Sequence, residues 1–143
     1  MPSLNALCLI VAGVVRATLP GPEFTLAWTQ SVEKTRWEET YRIDGDRLVL
    51  TEARVEGNGA GMEPPPGARL RDGRWTWQPL SAHSELRLTE STFTRDYTLC
   101  ADGRCADLSE RIGATVEGEI VTVRACTANA PMGISAGGEQ VRR

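Results

Sequence analysis

"TYRIDGDRLVLTEARV", Thr40 to Val55, decides the fold class. Asp44-Gly45 is a turn dipeptide between two runs that alternate apolar and polar residues. A two-residue turn at Asp44-Gly45 sets Tyr41 opposite Leu48 and Ile43 opposite Asp46, and puts Leu48 and Leu50 on the face of Tyr41 and Ile43. A three-residue loop would set Arg42 against Leu48 and Ile43 against Arg47. A one-residue slip turns every side chain to the other face, so the hydrophobic pattern selects the two-residue turn. The stretch reads as a β-hairpin.

The same logic recurs along the chain. In "ARLRDGRWTW", a turn at Asp72-Gly73 sets Leu70 opposite Trp75 and Ala68 opposite Trp77. In "DYTLCADGRCADL", Asp102-Gly103 is the turn, with Tyr97 and Leu99 on one face alongside Leu108. "FTLAW" puts Phe24, Leu26 and Trp28 on one face, and reads as a strand paired with the apolar run Leu7 to Val15 across the loop "TLPGPEF". "ELRLTES" and "EIVTVRAC" supply further strands. The Asp-Gly turns lie 28 and 30 residues apart, but their flanks differ and no repeat is assigned. No segment carries a sustained helical period. The expectation is an all-β domain, an antiparallel β-sandwich or a partly open β-barrel of roughly eight to ten strands. It spans residues 1–126, with the small, polar, glycine-rich stretch 127–143 as a disordered tail.

The 143 residues suit one domain with a sizeable core. Apolar residues make up 41% and charged residues 24%, the balance of a globular protein rather than a disordered one. The formal net charge is −3 and the basic residues do not cluster, which argues against a nucleic-acid partner. "LNALCLIVAGVV", Leu4 to Val15, is too short for a membrane-spanning helix. It reads as a buried first strand or as a signal-peptide core with a cleavage-like Val15-Arg16-Ala17.

Four cysteines divide into two sets. The Asp102-Gly103 turn sets Cys100 directly opposite Cys105 in a non-hydrogen-bonded pair, at the short end of disulfide range. A cross-strand bridge and two free thiols are both compatible with that register. Zinc is disfavoured by the Cys-x4-Cys spacing and by a single histidine, His83. Cys8 and Cys126 fall in the first and last strands and form a second bridge if the chain ends meet. Two bridges would point to an oxidising compartment, the periplasm or cell envelope, with the cytoplasm as the alternative.

No cofactor fingerprint, nucleophile elbow or metal motif is present in the sequence. His83 lies in "LSAHSE", which reads as an exposed loop. The stretch "TQSVEKTRWEETY", Thr29 to Tyr41, carries the densest chemistry. As one unbroken strand it would put Glu33, Trp37 and Glu39 on one face, and Lys34, Arg36 and Glu38 on the other. A charged edge strand that resists aggregation is one reading. The other is a small polar pocket of Ser31, Glu33, Trp37 and Glu38 near Gly59 to Met62, in which paired carboxylates could run acid–base chemistry.

"FTLAWTQSVEKTRWEETYRIDG", then "LVLTEARVEGNGAGMEPPPGA", "RDGRWTW" and "YTLCADGRC", resembles the bacterial domain-of-unknown-function 1850 family over about Leu7 to Cys126. The pairing of Ser-Val-Glu-Lys with a later Gly-Ala-Gly-Met carries the resemblance. The family pattern has histidine just before that serine, and this chain has Gln30. Any general-base or metal role of that histidine is therefore missing. The resemblance implies that Leu7 to Val15 is the first strand. It also implies association with TAXI-class TRAP transporters, beside which members are often encoded. The expected function is a non-enzymatic accessory domain that binds a transporter component or a small anionic solute. Its expected surface is Gln30, Ser31, Glu33, Lys34, Arg36, Trp37 and Glu38 with Gly59, Ala60, Gly61 and Met62. The alternatives are a hydrolase or lyase using Glu33 and Glu38, and a purely structural envelope domain.

Overall fold

The computed structural model describes residues 4–29, 35–56, 64–89, 97–113 and 118–128. The strands are Ala6–Val11 (β1), Val14–Pro20 (β2), Glu23–Thr29 (β3), Arg36–Asp44 (β4), Arg47–Glu56 (β5), Arg69–Arg71 (β6), Arg74–Trp77 (β7), Ser81–His83 (β8), Leu86–Thr89 (β9), Thr98–Ala101 (β10), Arg104–Asp107 (β11) and Ile120–Cys126 (β12), with one short helix, Leu108–Ile112 (α1). All pairings are antiparallel. A small sheet runs β2-β1-β12-β9, and a large one runs β11-β10-β3-β4-β5-β7-β6, with β8 also on β5. The two sheets do not close into a barrel, so the architecture is a β-sandwich.

Alternation along the strands builds the core. Leu7, Leu9, Val11, Val121, Val123 and Leu88 of the small sheet meet Phe24, Leu26, Tyr41, Ile43, Leu48, Leu50 and Leu99 of the large one. Phe24 stacks on Tyr41 with ring centroids 5.1 Å apart. Polar residues occupy the outer face of the large sheet, where Thr25 Oγ1 lies 3.3 Å from Thr40 Oγ1.

The Asp72-Gly73 and Asp102-Gly103 hairpins have the expected registers, Leu70 opposite Trp75 and Cys100 opposite Cys105. Asp72, Gly73, Asp102 and Gly103 all have positive φ, which a I′ turn requires. The Asp44-Gly45 turn is displaced by one residue. Asp44 pairs with Arg47, Ile43 with Leu48 and Tyr41 with Leu50, so the turn is Gly45-Asp46. Gly45 has φ +63° while Asp46 does not have positive φ, the pattern of a II′ turn with glycine first. The face assignment survives because both strands keep their parity. The displaced register faces four apolar side chains to one another instead of setting Ile43 against Asp46.

Leu7 to Val15 is two strands, not one, and neither pairs with Phe24–Trp28. Ala12 (φ +51°) and Gly13 (φ +78°) turn the chain back, and β1 lies between β2 and β12. Ala-Gly lacks the aspartate or asparagine that marks most such turns, so the apolar run conceals its hairpin. The split and the short β8 raise the strand number above the expected range. The helix α1 is too short for a periodic signal. It begins at Asp107, whose N–H donates to Glu110 Oε1 at 3.2 Å, and it buries Leu108 and Ile112. Arg111 Nη2 ties it to the large sheet through the Leu99 and Arg104 carbonyls, both at 2.9 Å. Arg16 Nη1 ties it to β2 through the Ile112 carbonyl at 2.8 Å.

Both cysteine pairs are bonded. Cys100–Cys105 has a Cα separation of 4.0 Å, and Cys8–Cys126 has one of 5.9 Å. Cys126 pairs in register with Ala6, one step along the same face from Cys8, so the second bridge is diagonal across β1 and β12.

Candidate functional site

An aromatic row crosses the inner face of the large sheet. Trp28 (β3) pairs directly with Trp37 (β4), their rings nearly parallel with centroids 6.3 Å apart. Tyr97, just before β10, tilts against Trp28 at 5.6 Å. Trp77 (β7) meets Trp37 edge-on at 6.4 Å across β5. That contact spans an intervening strand because β5 offers only Ala53 and Val55 beneath it, both buried. All four rings are half-buried. Sequestering them would remove considerably more apolar area, and aromatic pairs contribute beyond area alone.

Beside the row lies an open cleft of about 390 Å³, lined among others by Trp28, Tyr97, Glu39, Tyr41, His83 and Glu85. Tyr41 donates to Glu39 Oε1 at 2.7 Å. Burial, and then that hydrogen bond to a carboxylate, pushes the Tyr41 phenol well above its ordinary range. Hydrogen bonding from Arg87, with help from Arg124 against a desolvation cost, holds Glu85 below its ordinary range. His83 is not an exposed loop residue. It belongs to β8, is half-buried, and meets the Tyr41 ring edge-on with centroids 6.4 Å apart. Its Nε2 lies 3.0 Å from Ser81 Oγ. That is the contact of a nucleophile with its base, but among the described residues no carboxylate is hydrogen-bonded to His83 to orient it.

The outer face of the same sheet is ionic. Glu38 Oε1 accepts from Arg54 Nη2 at 3.1 Å and Arg74 Nη1 at 3.2 Å, and its Oε2 lies 3.4 Å from Arg36 Nε. One carboxylate thus joins β4, β5 and β7. Arg54 also reaches Glu52 at 3.5 Å.

Of the surface expected from sequence, Arg36, Trp37 and Glu38 fall within the described residues. Gln30, Ser31, Glu33, Lys34, Gly59, Ala60, Gly61 and Met62 lie outside them. Trp37 points inward and Arg36 and Glu38 outward, so one wall cannot combine Trp37 with Glu38. Nor is β4 an edge strand, since it lies between β3 and β5. Its charges pair with neighbouring strands instead of guarding an edge. The strand ends that flank residues 30–34 and 57–63 are close together. Thr29 pairs with Arg36, and the Arg36 N–H donates to the Glu56 carboxylate at the end of β5. Sequence reading missed Trp28, Trp77, Tyr97 and Glu39 as site residues. The signal was the shared parity of tryptophans in adjacent hairpins, which needs the strand order before it can be read as one row.

The large sheet thus carries an aromatic, acid-bearing cleft on one face and an arginine–glutamate lattice on the other. The chain belongs to the family described as Domain of unknown function (DUF1850), whose model matches residues 24–108, more than half of its length. That span is narrower than Leu7 to Cys126. It holds the large sheet, apart from Glu23 at the start of β3, with β9, and leaves out β1, β2 and β12. No curated protein and no solved structure matches the chain. Among the described residues no helix is long and apolar enough to cross a membrane, and no group of three or more His, Cys, Asp or Glu gathers as a metal site.

Proposed function

We propose that the protein is a non-enzymatic accessory domain of a TAXI-class TRAP solute-uptake system, and that it binds a transporter component through its aromatic end. The observation that supports this reading is the row of half-exposed rings Tyr97, Trp28, Trp37 and Trp77 on one face. Aromatic residues are the usual anchors of protein interfaces, because each removes a large apolar area from water at small cost in side-chain entropy. Two disulfides are in keeping with an oxidising envelope compartment. A hydrolase or lyase using Glu33 and Glu38 has less support, since Glu38 is occupied by three arginines on the face away from the cleft.

The test is co-purification from envelope extracts on immobilised protein, comparing wild type with Trp37→Ala and Arg47→Gln. Arg47 is exposed in the turn region after β4, remote from the row. Retention of the transporter's components by wild type and Arg47→Gln, with loss in a folded Trp37→Ala, is the expected result. Equal retention by all three, or none by wild type, counts against the reading.

A further inference from the structure

The outer face of β5, β7 and β6 holds more cation than its carboxylates neutralise. Arg69 and Arg71 alternate along β6, so both side chains leave the sheet on this face. Arg71 sits directly opposite Arg74, and Arg69 opposite Thr76. Like charges directly opposite on adjacent strands repel. Arg74 is compensated by Glu38 at 3.2 Å. Among the described residues, neither Arg69 nor Arg71 has an ion pair or a side-chain hydrogen bond. Both line a groove of about 540 Å³ together with Thr76, Gln78 and Glu52. A second hollow of about 200 Å³ continues it past Arg71, Arg74 and Arg54, with Asp72 of the turn also on its wall. The one carboxylate they share, Glu52, is already engaged by Arg54 at 3.5 Å.

We propose that this groove binds a phosphate group, carried by a small solute or by a lipid headgroup, between Arg69 and Arg71 with Thr76 as a third donor. The volume falls in the range of small-molecule sites. Two arginines whose Cα positions lie about 6.6 Å apart along one strand, with a hydroxyl on the next strand, can approach a ligand from several directions. That suits the terminal oxygens of a phosphate better than the two of a carboxylate. Arginine binds such oxygens through paired N–H donors. Bound phosphate would also relieve the Arg71–Arg74 repulsion. Arg69, Arg71 and Thr76 lie on the sheet face opposite the aromatic row, although Trp77 of that row also lines the groove, and the proposal does not depend on the partner reading of that row.

The experiment is calorimetric titration of the full chain with inorganic phosphate and, separately, with succinate. Sedimentation with phosphatidylcholine vesicles, with and without phosphatidylglycerol, is the third arm. Arg69→Gln, Arg71→Gln and Arg47→Gln are compared with wild type. The expected result is millimolar or tighter phosphate binding that weakens as salt rises. Arg69→Gln and Arg71→Gln should each weaken it about tenfold, the effect of losing one charge-assisted donor pair. Arg47→Gln should match wild type. Vesicle binding that needs phosphatidylglycerol and both arginines, with weak binding of free phosphate, places the phosphate on a lipid. Succinate bound as tightly as phosphate, equal losses in all three variants, or no binding in any arm overturns the proposal. The substituted residues are exposed strand and turn positions, so the variants are expected to fold; near-unchanged thermal midpoints check this.

Discussion

Removing the two disulfides should cost very different amounts. Cys8–Cys126 closes a loop of sequence separation 118, and Cys100–Cys105 one of 5. Constraining the unfolded chain scales with the logarithm of loop length, which gives about 4.9 kcal/mol for the first and about 2.1 kcal/mol for the second. The cores reinforce the difference. Cys8 and Cys126 are 0% and 2% exposed, so removing their sulfur also leaves a small cavity, whereas Cys105 is exposed. Against a total stability of about 5–15 kcal/mol, the long bridge is a large share. The assay is urea unfolding followed by tryptophan fluorescence for Cys8→Ala/Cys126→Ala and Cys100→Ala/Cys105→Ala. With a slope of about 2 kcal/mol/M, the midpoints of the two double variants should differ by about 1.5 M. A short-loop variant that loses as much stability as the long-loop variant would refute the reasoning. It would mean that native-state contacts around the hairpin, not the constraint on the unfolded chain, set the energetics.

Tyr41→Phe should cost about 1–2 kcal/mol, because it leaves the half-buried Glu39 carboxylate without its donor. The raised Tyr41 phenol keeps its proton in the folded state, so its contribution is complete below about pH 10 and falls as the unfolded phenol ionises above that. The alkaline decline in thermal midpoint should accordingly be shallower in Tyr41→Phe. Gly21→Ala would place a Cβ 2.7 Å from the Asn5 carbonyl oxygen, which accepts the Gly21 N–H, and 2.8 Å from Ile43 Cδ1. A loss of about 1–3 kcal/mol is expected, and a thermal midpoint equal to wild type would show that the β1 entry can give way. Glu38→Gln removes the charge shared by Arg36, Arg54 and Arg74 and should cost about 1 kcal/mol in dilute buffer. The deficit should shrink in about 1 M salt, and a salt-independent deficit would assign it to packing.

The hairpins were legible in the sequence wherever a side chain had to choose a face. Asp72-Gly73 and Asp102-Gly103 fixed their own registers, because both residues can adopt positive φ. Asp44-Gly45-Asp46 offers glycine to either of two turns, and the choice between them rests on the pairing of Ile43 with Leu48. Ala12-Gly13 was hidden because apolar residues surround it on both sides, as suits a strand with few exposed positions. Which strands adjoin which was not legible. Alternation gives a side chain its face but says nothing of neighbours across the sheet. The aromatic row and the arginine groove are both assembled by strand order, from β10 through β3, β4 and β5 to β7 and β6. That is why Trp37 enters the expected surface without its aromatic neighbours, and Arg69 and Arg71 do not enter it. A three-residue strand carries too little pattern to read, so the sequence alone puts His83 in a loop.

The most direct test of the account is oxidative footprinting of Trp28, Trp37, Trp77 and Tyr97, alone and with the purified transporter components. The account predicts that these rings react readily in the isolated chain, are protected in the complex, and lose that protection in Trp37→Ala. A complex that leaves the four rings as reactive as before, or no complex at all, would contradict it.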